Sequence, residues 1–267
     1  MPHALRVLEA TLPGLRGRHA EAKDRAYALA DRCDRAARER DASATMRADA
    51  RDDGGASRAS SSSGDASAWR RRRDAAYHLA INAHVAAGEH VAALARLDWM
   101  ARCLPAGASE RPRLLSLAGR IHLRAGDERG AELCFAEAEK AREEASSDGH
   151  EGDVDAGLVH VAKREYGAAL ERFERAAAAR PWDAAAANGT AVARMYAGDL
   201  RRGARALEEA LTIHPRGALG DGEALVRNAC SMYELAAAAP SGAKKTLAAW
   251  AAKIAPDDFN PQRARLA

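Results

Sequence analysis

Residues 166–181 read YGAALERFERAAAARP, and the spacing inside that stretch decides the fold. Ala169, Phe173 and Pro181 lie four and then eight residues apart. Thirty-four residues on, Gly203, Leu207 and Pro215 repeat the spacing within DLRRGARALEEALTIHP. Ala93, Leu97 and Pro105 show it upstream in EHVAALARLDWMARCLP. A small residue, a bulky one and a proline that return at one fixed period mark a unit of architecture used several times.

Aligned on these residues, the unit matches the 34-residue tetratricopeptide (TPR) pattern, with small residues at positions 8 and 20, a bulky one at 24 and proline at 32. Residues 150–183 supply Gly157, Ala169, Phe173 and Pro181, and residues 184–217 follow with Ala191, Gly198, Gly203, Leu207 and Pro215. Residues 112–145 give Gly119, Gly126, Ala131 and Phe135, with Glu143 in place of the proline. Residues 74–107 give Ile81, Gly88, Ala93, Leu97 and Pro105. In such a unit two antiparallel helices approach closely at the small residues, and proline stops the second helix. Gly157 and Ala169 are therefore expected to face each other across one pair. A single pair cannot bury its apolar face, so neighbours stack. The expected fold is all-α, a TPR α-solenoid of stacked helix pairs.

The four units span 69–217. Before them, residues 3–40 read as a degenerate helix pair, with Gly17, Ala22 and Ala26 at the turn, small and bulky positions. Residues 41–68 are Ser, Asp, Gly and Ala with almost no large apolar side chain, and a flexible insert is expected there. Residues 218–267 read as capping helices and a tail. Leu225, Val226, Met232, Leu235, Leu247 and Trp250 are expected to form the inner face of the cap, with Lys244 and Lys245 wet.

Composition agrees. Of 267 residues, 47% are apolar, mostly alanine, and 4% are aromatic. Such chains favour helix because these side chains lose little rotamer freedom there. A net charge of +3, with the excess in residues 1–73, is too balanced to point to nucleic acid. Cys33, Cys103, Cys134 and Cys230 form no CxxC pair, so buried free thiols are expected. The N-terminus lacks the apolar core of a signal peptide and no run is long enough to span a bilayer, so a cytosolic chain is expected.

No constellation for catalysis appears. There is no GxSxG, HExxH or GxGxxG, and SGAKKT at 241–246 lacks the order of a phosphate-binding loop. His84, His122 and His160 all fall at position 11, which argues for packing and against a metal site. The run Trp69–Arg73 reads as a nuclear signal or a phosphate-binding patch or, more simply, as the opening of the first helix of unit 74–107 with its arginines solvated around the rim. No enzyme, cofactor or small-molecule substrate is expected.

A surface remains. Positions that line the groove of TPR solenoids give Leu158, Val161, Asn188, Val192, Met195 and Tyr196, a partly apolar groove suited to a partner helix. The alternative is that the protein's own terminal helices fill it.

The tail sharpens the reading. Asn228, the MYEL of 232–235, Lys244-Lys245, Phe259-Asn260 and Leu266-Ala267 resemble the C-terminus of the trafficking protein particle (TRAPP) complex subunit 12 family. NGTAVARMYAGDL (188–200) and AGRIHLRAGDERGAELCFAEAEK (118–140) resemble that family's repeats. The resemblance implies a non-catalytic subunit of a vesicle tether in endoplasmic reticulum to Golgi traffic. Its partners would be other subunits of the complex, and other subunits would promote nucleotide exchange on a Rab-type GTPase. It also implies a cytoplasmic protein held at those membranes through the complex, with no membrane insertion. Tyr233, Lys244 and Lys245 become candidate contacts. A general TPR peptide-binding adaptor or co-chaperone is the competing reading, and a TPR-bearing enzyme a third.

Overall fold

Helices account for every regular element among the described residues, as a chain rich in alanine, leucine, arginine and glutamate dictates. The computed structural model describes residues 2–49, 59–105, 107–145, 149–213, 215, 223–236 and 241–254. It divides into two compact units, Met1–Ala125 and Gly126–Ala267, and the division falls inside the expected repeat 112–145.

Unit 1 holds α1 (His3–Leu15), α2 (His19–Asp49), α3 (Ala59–Ala86), α4 (His90–Arg102) and α5 (Arg111–Ala125). Helices α2 and α3, of 31 and 28 residues, form its longest packed pair. Both reach into 41–68, so the segment expected to be a flexible insert is helical at each end, while residues 50–58 lie outside the described residues. The reason lies in alanine and in cross-helix charge. Ala37 and Ala66 are buried, Arg73 pairs with Asp34 at 3.1 Å and with Asp74 at 2.8 Å, and Arg70 pairs with Asp41. Arg72 and Arg40 stack over Trp69, at 4.5 and 5.0 Å from its ring centre. The arginine run is thus only partly the solvated rim expected of it: Arg70 and Arg73 bolt α3 to α2.

Unit 2 holds α6 (Glu128–Glu144), α7 (His150–Ala162), α8 (Tyr166–Ala179), α9 (Ala184–Tyr196), α10 (Leu200–Ile213), α11 (Glu223–Ala236) and α12 (Ser241–Ile254). Each packs on its neighbour in sequence, and α7, α9 and α11 also touch one another in turn. That pattern is what stacked helix pairs produce when their first helices share a layer.

The recurring small residues are buried. Position 20 is Ala22, Ala93, Ala131 and Ala169, all buried, and then Gly203. A Cβ on Gly203 would stand 2.8 Å from the Ala191 carbonyl oxygen, so α9 and α10 meet there at backbone distance. At Gly157 the nearest group is the ring of Phe173: a Cβ on Gly157 would lie 2.7 Å from that ring, and one on Gly189 2.4 Å. A helical side chain leans toward its N-terminus, so Phe173 covers the turn that carries Ala169. The fully buried ring fills a slot between α7 and α9.

Position 15 turns the chain between the two helices of every unit. Gly17, Gly88, Gly126 and Gly198 have φ of 75°, 78°, 80° and 91° there. In unit 150–183 the residue is Arg164, at φ 62°, a left-handed conformation that costs a side chain about 1–2 kcal/mol. Beside that turn His84 Nδ1 lies 2.6 Å from Glu89, and His160 Nδ1 2.6 Å from Glu165, five residues on in each case. Two of the three recurring histidines are therefore turn clasps. Cys33 and Cys230 are buried as expected, but Cys103 is exposed.

At the C-terminus Leu225, Val226, Met232 and Leu247 are buried, with Trp250 packed against them. Leu235 is 66% exposed, contrary to expectation. It lies nine residues after Val226, half a helical rotation away, and so points from the core. The motifs Phe259-Asn260 and Leu266-Ala267 lie outside the described residues.

Arg164→Gly is expected to raise stability by about 0.5–1 kcal/mol, the relief of strain less the entropy of glycine, whereas Gly198→Ala should lower the melting temperature. Gly157→Ala and Gly189→Ala should each cost about 1–3 kcal/mol by overpacking Phe173. Combined with Phe173→Leu, the cost of either alanine should shrink, and additivity in that double-mutant cycle would refute the slot.

Candidate interaction surface

Helix α9 carries four of the six groove candidates, and its N-terminus is fixed by charge. Asp183 Oδ1 accepts from the N–H groups of Ala185 at 2.7 Å and Ala186 at 2.9 Å. Its Oδ2 lies 2.6 Å from Nε2 of the buried His150, whose Nδ1 meets the Ala176 carbonyl at 3.1 Å. Burial pushes the Asp183 carboxyl up, but the Ala186 N–H, His150 and the Ala185 N–H outweigh it and hold the group below its ordinary value. One aspartate thereby ties α7, α8 and α9 together.

The groove candidates separate by role. Leu158 and Val161 pack on the cluster of Val154, Ala169, Phe173, Ala176, Ala186 and Ala193. Met195 packs on the terminal cluster. Asn188 accepts a 2.7 Å hydrogen bond from Asn228 Nδ2 of α11, so the protein's own terminal pair takes up this side chain. Val192 is half-buried. Tyr196, 58% exposed, stacks on Tyr166 with centroids 4.8 Å apart and 10° between the rings. It is the most accessible of the six.

The C-terminal candidates are also partly engaged. Tyr233 donates its hydroxyl to Glu208 at 2.7 Å, and burial followed by that carboxylate pushes its phenol above the usual range. Lys244 is paired with Glu234 at 2.8 Å and is half-buried, not wet. Lys245 is exposed. The residues that made the tail recognisable thus include the wiring of the cap.

Sequence reasoning missed three clefts that recur between alternate helices. One of about 550 Å³ lies between α6 and α8 over α7, lined by ionic side chains including Glu139, Arg142, Asp153, Asp155, Arg172 and Arg175. Arg142 there is buried, 2.5 Å from Asp155 and 2.8 Å from Glu139. The next, about 310 Å³ between α8 and α10, has the Arg194–Glu174 pair and Thr190 at its walls. The last, about 360 Å³ between α10 and α12, is mainly apolar, with Leu211, Tyr233, Leu247 and Trp250. Part of the signal was available: at second-helix positions 23 and 26, Arg172 and Arg175 in one unit give way to Ala206 and Glu209 in the next. Among the described residues no three His, Cys, Asp or Glu side chains gather to hold a metal ion, and no helix is long and apolar enough to cross a membrane.

Over 273 aligned residues, 100% of this chain, the sequence is 28% identical to trafficking protein particle complex subunit 12 of Homo sapiens. The family resemblance read from the tail extends over the whole chain. The Mus musculus protein is 28% identical over the same length. The chain spans about a third of these relatives, 35% and 33% of their lengths. No family model matches it.

Asp183→Ala is expected to cost about 1–2 kcal/mol at neutral pH, as loss of a helix cap does. Because the folded carboxyl titrates below its unfolded value, its contribution is complete above the ordinary aspartate range and is lost as pH falls through the folded value. Chemical unfolding of both proteins should therefore show a gap that closes below about pH 4. A gap that persisted unchanged into acid would show that the charge does not carry the cap.

Proposed function

We propose that the chain is a non-catalytic scaffold subunit of a TRAPP-type vesicle-tethering complex acting in endoplasmic reticulum to Golgi traffic. In this reading it is cytoplasmic, held at those membranes through the complex, and its partners are other protein subunits. Cofactor, nucleic acid and small-molecule substrate have no part in it. Four TPR units, 74–107, 112–145, 150–183 and 184–217, lie between the N-terminal pair and the cap at 218–267.

The observation that carries this reading is the whole-chain likeness to trafficking protein particle complex subunit 12. It is supported by the terminal pair, where Asn228, Tyr233 and Lys244 each reach a partner within the chain. They lie outside the repeat pattern that many proteins share, so their likeness is more specific than that of the repeats. The adaptor reading is weaker. A clamp for a C-terminal carboxylate needs basic and asparagine side chains turned toward a ligand, and Asn188 is instead bonded to Asn228.

Affinity purification with mass spectrometry tests the proposal. The intact chain should recover other TRAPP subunits, and truncation after Pro215 should aggregate and lose them, because it uncovers Leu207, Ala210 and Leu211. Lys245→Glu should leave stability within about 0.5 kcal/mol, and Tyr196→Ala should cost no more than the loss of its ring stack, about 0.5–1.5 kcal/mol. Either should lower recovery if its face makes the contact. An intact chain that recovers no tethering subunit would refute the scaffold role.

A further inference from the structure

Helix α1 buries Ala10 and Pro13, yet it leaves Leu5, Leu8, Leu12 and Leu15 between 45% (Leu12) and 64% (Leu15) exposed. At about 100° per residue the four leucines fall within about 80° of one another, opposite Ala10. Their steps are three, four and three residues, the seam with which one helix receives a single facing helix. The seam is narrow. Glu9 and Arg16 close one flank, Ala4 and Thr11 the other. A helix that lies in a bilayer surface presents a broad apolar face with a strongly basic polar one, and neither is present on α1.

The flanking charges select the occupant. Neither Glu9 nor Arg16 is ion-paired among the described residues. In an antiparallel second copy that matches the leucines, Glu9 would stand beside Glu9 of the other copy, a like-charge contact at the seam. A parallel copy would set Ala4 and Thr11 against Glu9 and Arg16 and answer neither charge. The small flank of Ala4 and Thr11 leaves room for close approach by a different helix.

We propose that α1 is a docking helix for one amphipathic helix of a different protein subunit. The leucine-type seam of that helix packs on Leu5, Leu8, Leu12 and Leu15. Its flank sets a lysine or arginine against Glu9 and an aspartate or glutamate against Arg16. The inference deepens the scaffold reading by naming a contact surface and the chemistry of the segment that meets it.

The test places a benzophenone photo-crosslinker at Ala4 of the full chain in cells and sequences the crosslinked peptides. The expected product is a peptide of another protein with apolar residues at three-four-three spacing and the stated charge pair. Leu8→Glu with Leu12→Glu should reduce that product at least tenfold without lowering the melting temperature, since both side chains are exposed. Glu9→Lys with Arg16→Glu, which leaves the seam intact, should reduce it several-fold. The inference is overturned by a product with a second copy, accompanied by a dimer in light scattering that the glutamates dissolve. It is overturned equally by flotation on phosphatidylcholine–phosphatidylserine vesicles that the glutamates abolish, by a product that survives them, or by no product. Recovery of TRAPP subunits is read separately. Normal recovery with no crosslink sinks this inference alone, and a crosslink to such a helix with no tethering subunit recovered sinks the scaffold reading alone.

Discussion

The ring of Phe173 fits only because Gly157 and Gly189 have no side chains, and the arrangement of unit 2 follows from that slot. A buried aromatic contributes a large apolar area, and here it contacts the helix before it and the helix after it. With α7 and α9 held against α8, Ala191 comes to lie against Gly203, so α10 docks at backbone distance. Asn188 then meets Asn228 and places α11. Each docking uses a side chain that the previous one has positioned. Small residues act twice in this sequence, as the wall of the Phe173 slot and as the close contact between α9 and α10.

That dependence explains why the terminal tail carries the family resemblance more specifically than the repeats do. Repeat positions 8, 20 and 24 are dictated by helix packing that many proteins share. The cap must close one particular last repeat, and its side chains are specific to it: Met232 is buried against Gly203, Tyr233 reaches Glu208, and Lys244 reaches Glu234. Residues engaged in this way are poor candidates for a partner contact by themselves. Lys245 and Leu235, which the cap leaves exposed, are better placed for one.

How much of this was legible in the sequence depended on whether the physics was periodic. The helix pairs, their turns and the buried small residues returned every 34 residues and could be aligned, down to a weak first pair whose Gly17 does adopt the left-handed turn. Arg164 was not legible as a turn residue, because a backbone constraint imposed by its neighbours overrides local preference there. The helical ends of 41–68 were missed for a different reason. Low hydrophobicity argued for disorder, but buried alanines and the Arg70–Asp41 and Arg73–Asp34 pairs depend on a partner helix that composition cannot see. The groove fared similarly. Its candidate residues fall on α7 and α9, yet whether Asn188 faces solvent or Asn228 is decided by contacts forty residues apart.

The clefts show how such a scaffold acquires specificity without a reacting group. Their walls occupy matching repeat positions, yet the lining passes from the ionic set around Arg142 to the apolar set around Trp250 within three units. The interior cannot vary in this way, because Phe173, Gly157 and Gly203 leave no tolerance for a larger side chain. Variation falls instead on residues of both helices that line the clefts, where a substitution changes what the surface can hold. An array of this kind presents several chemically distinct clefts at a spacing fixed by the repeat. A partner that spans more than one of them is selected by the order of its side chains as well as by their type.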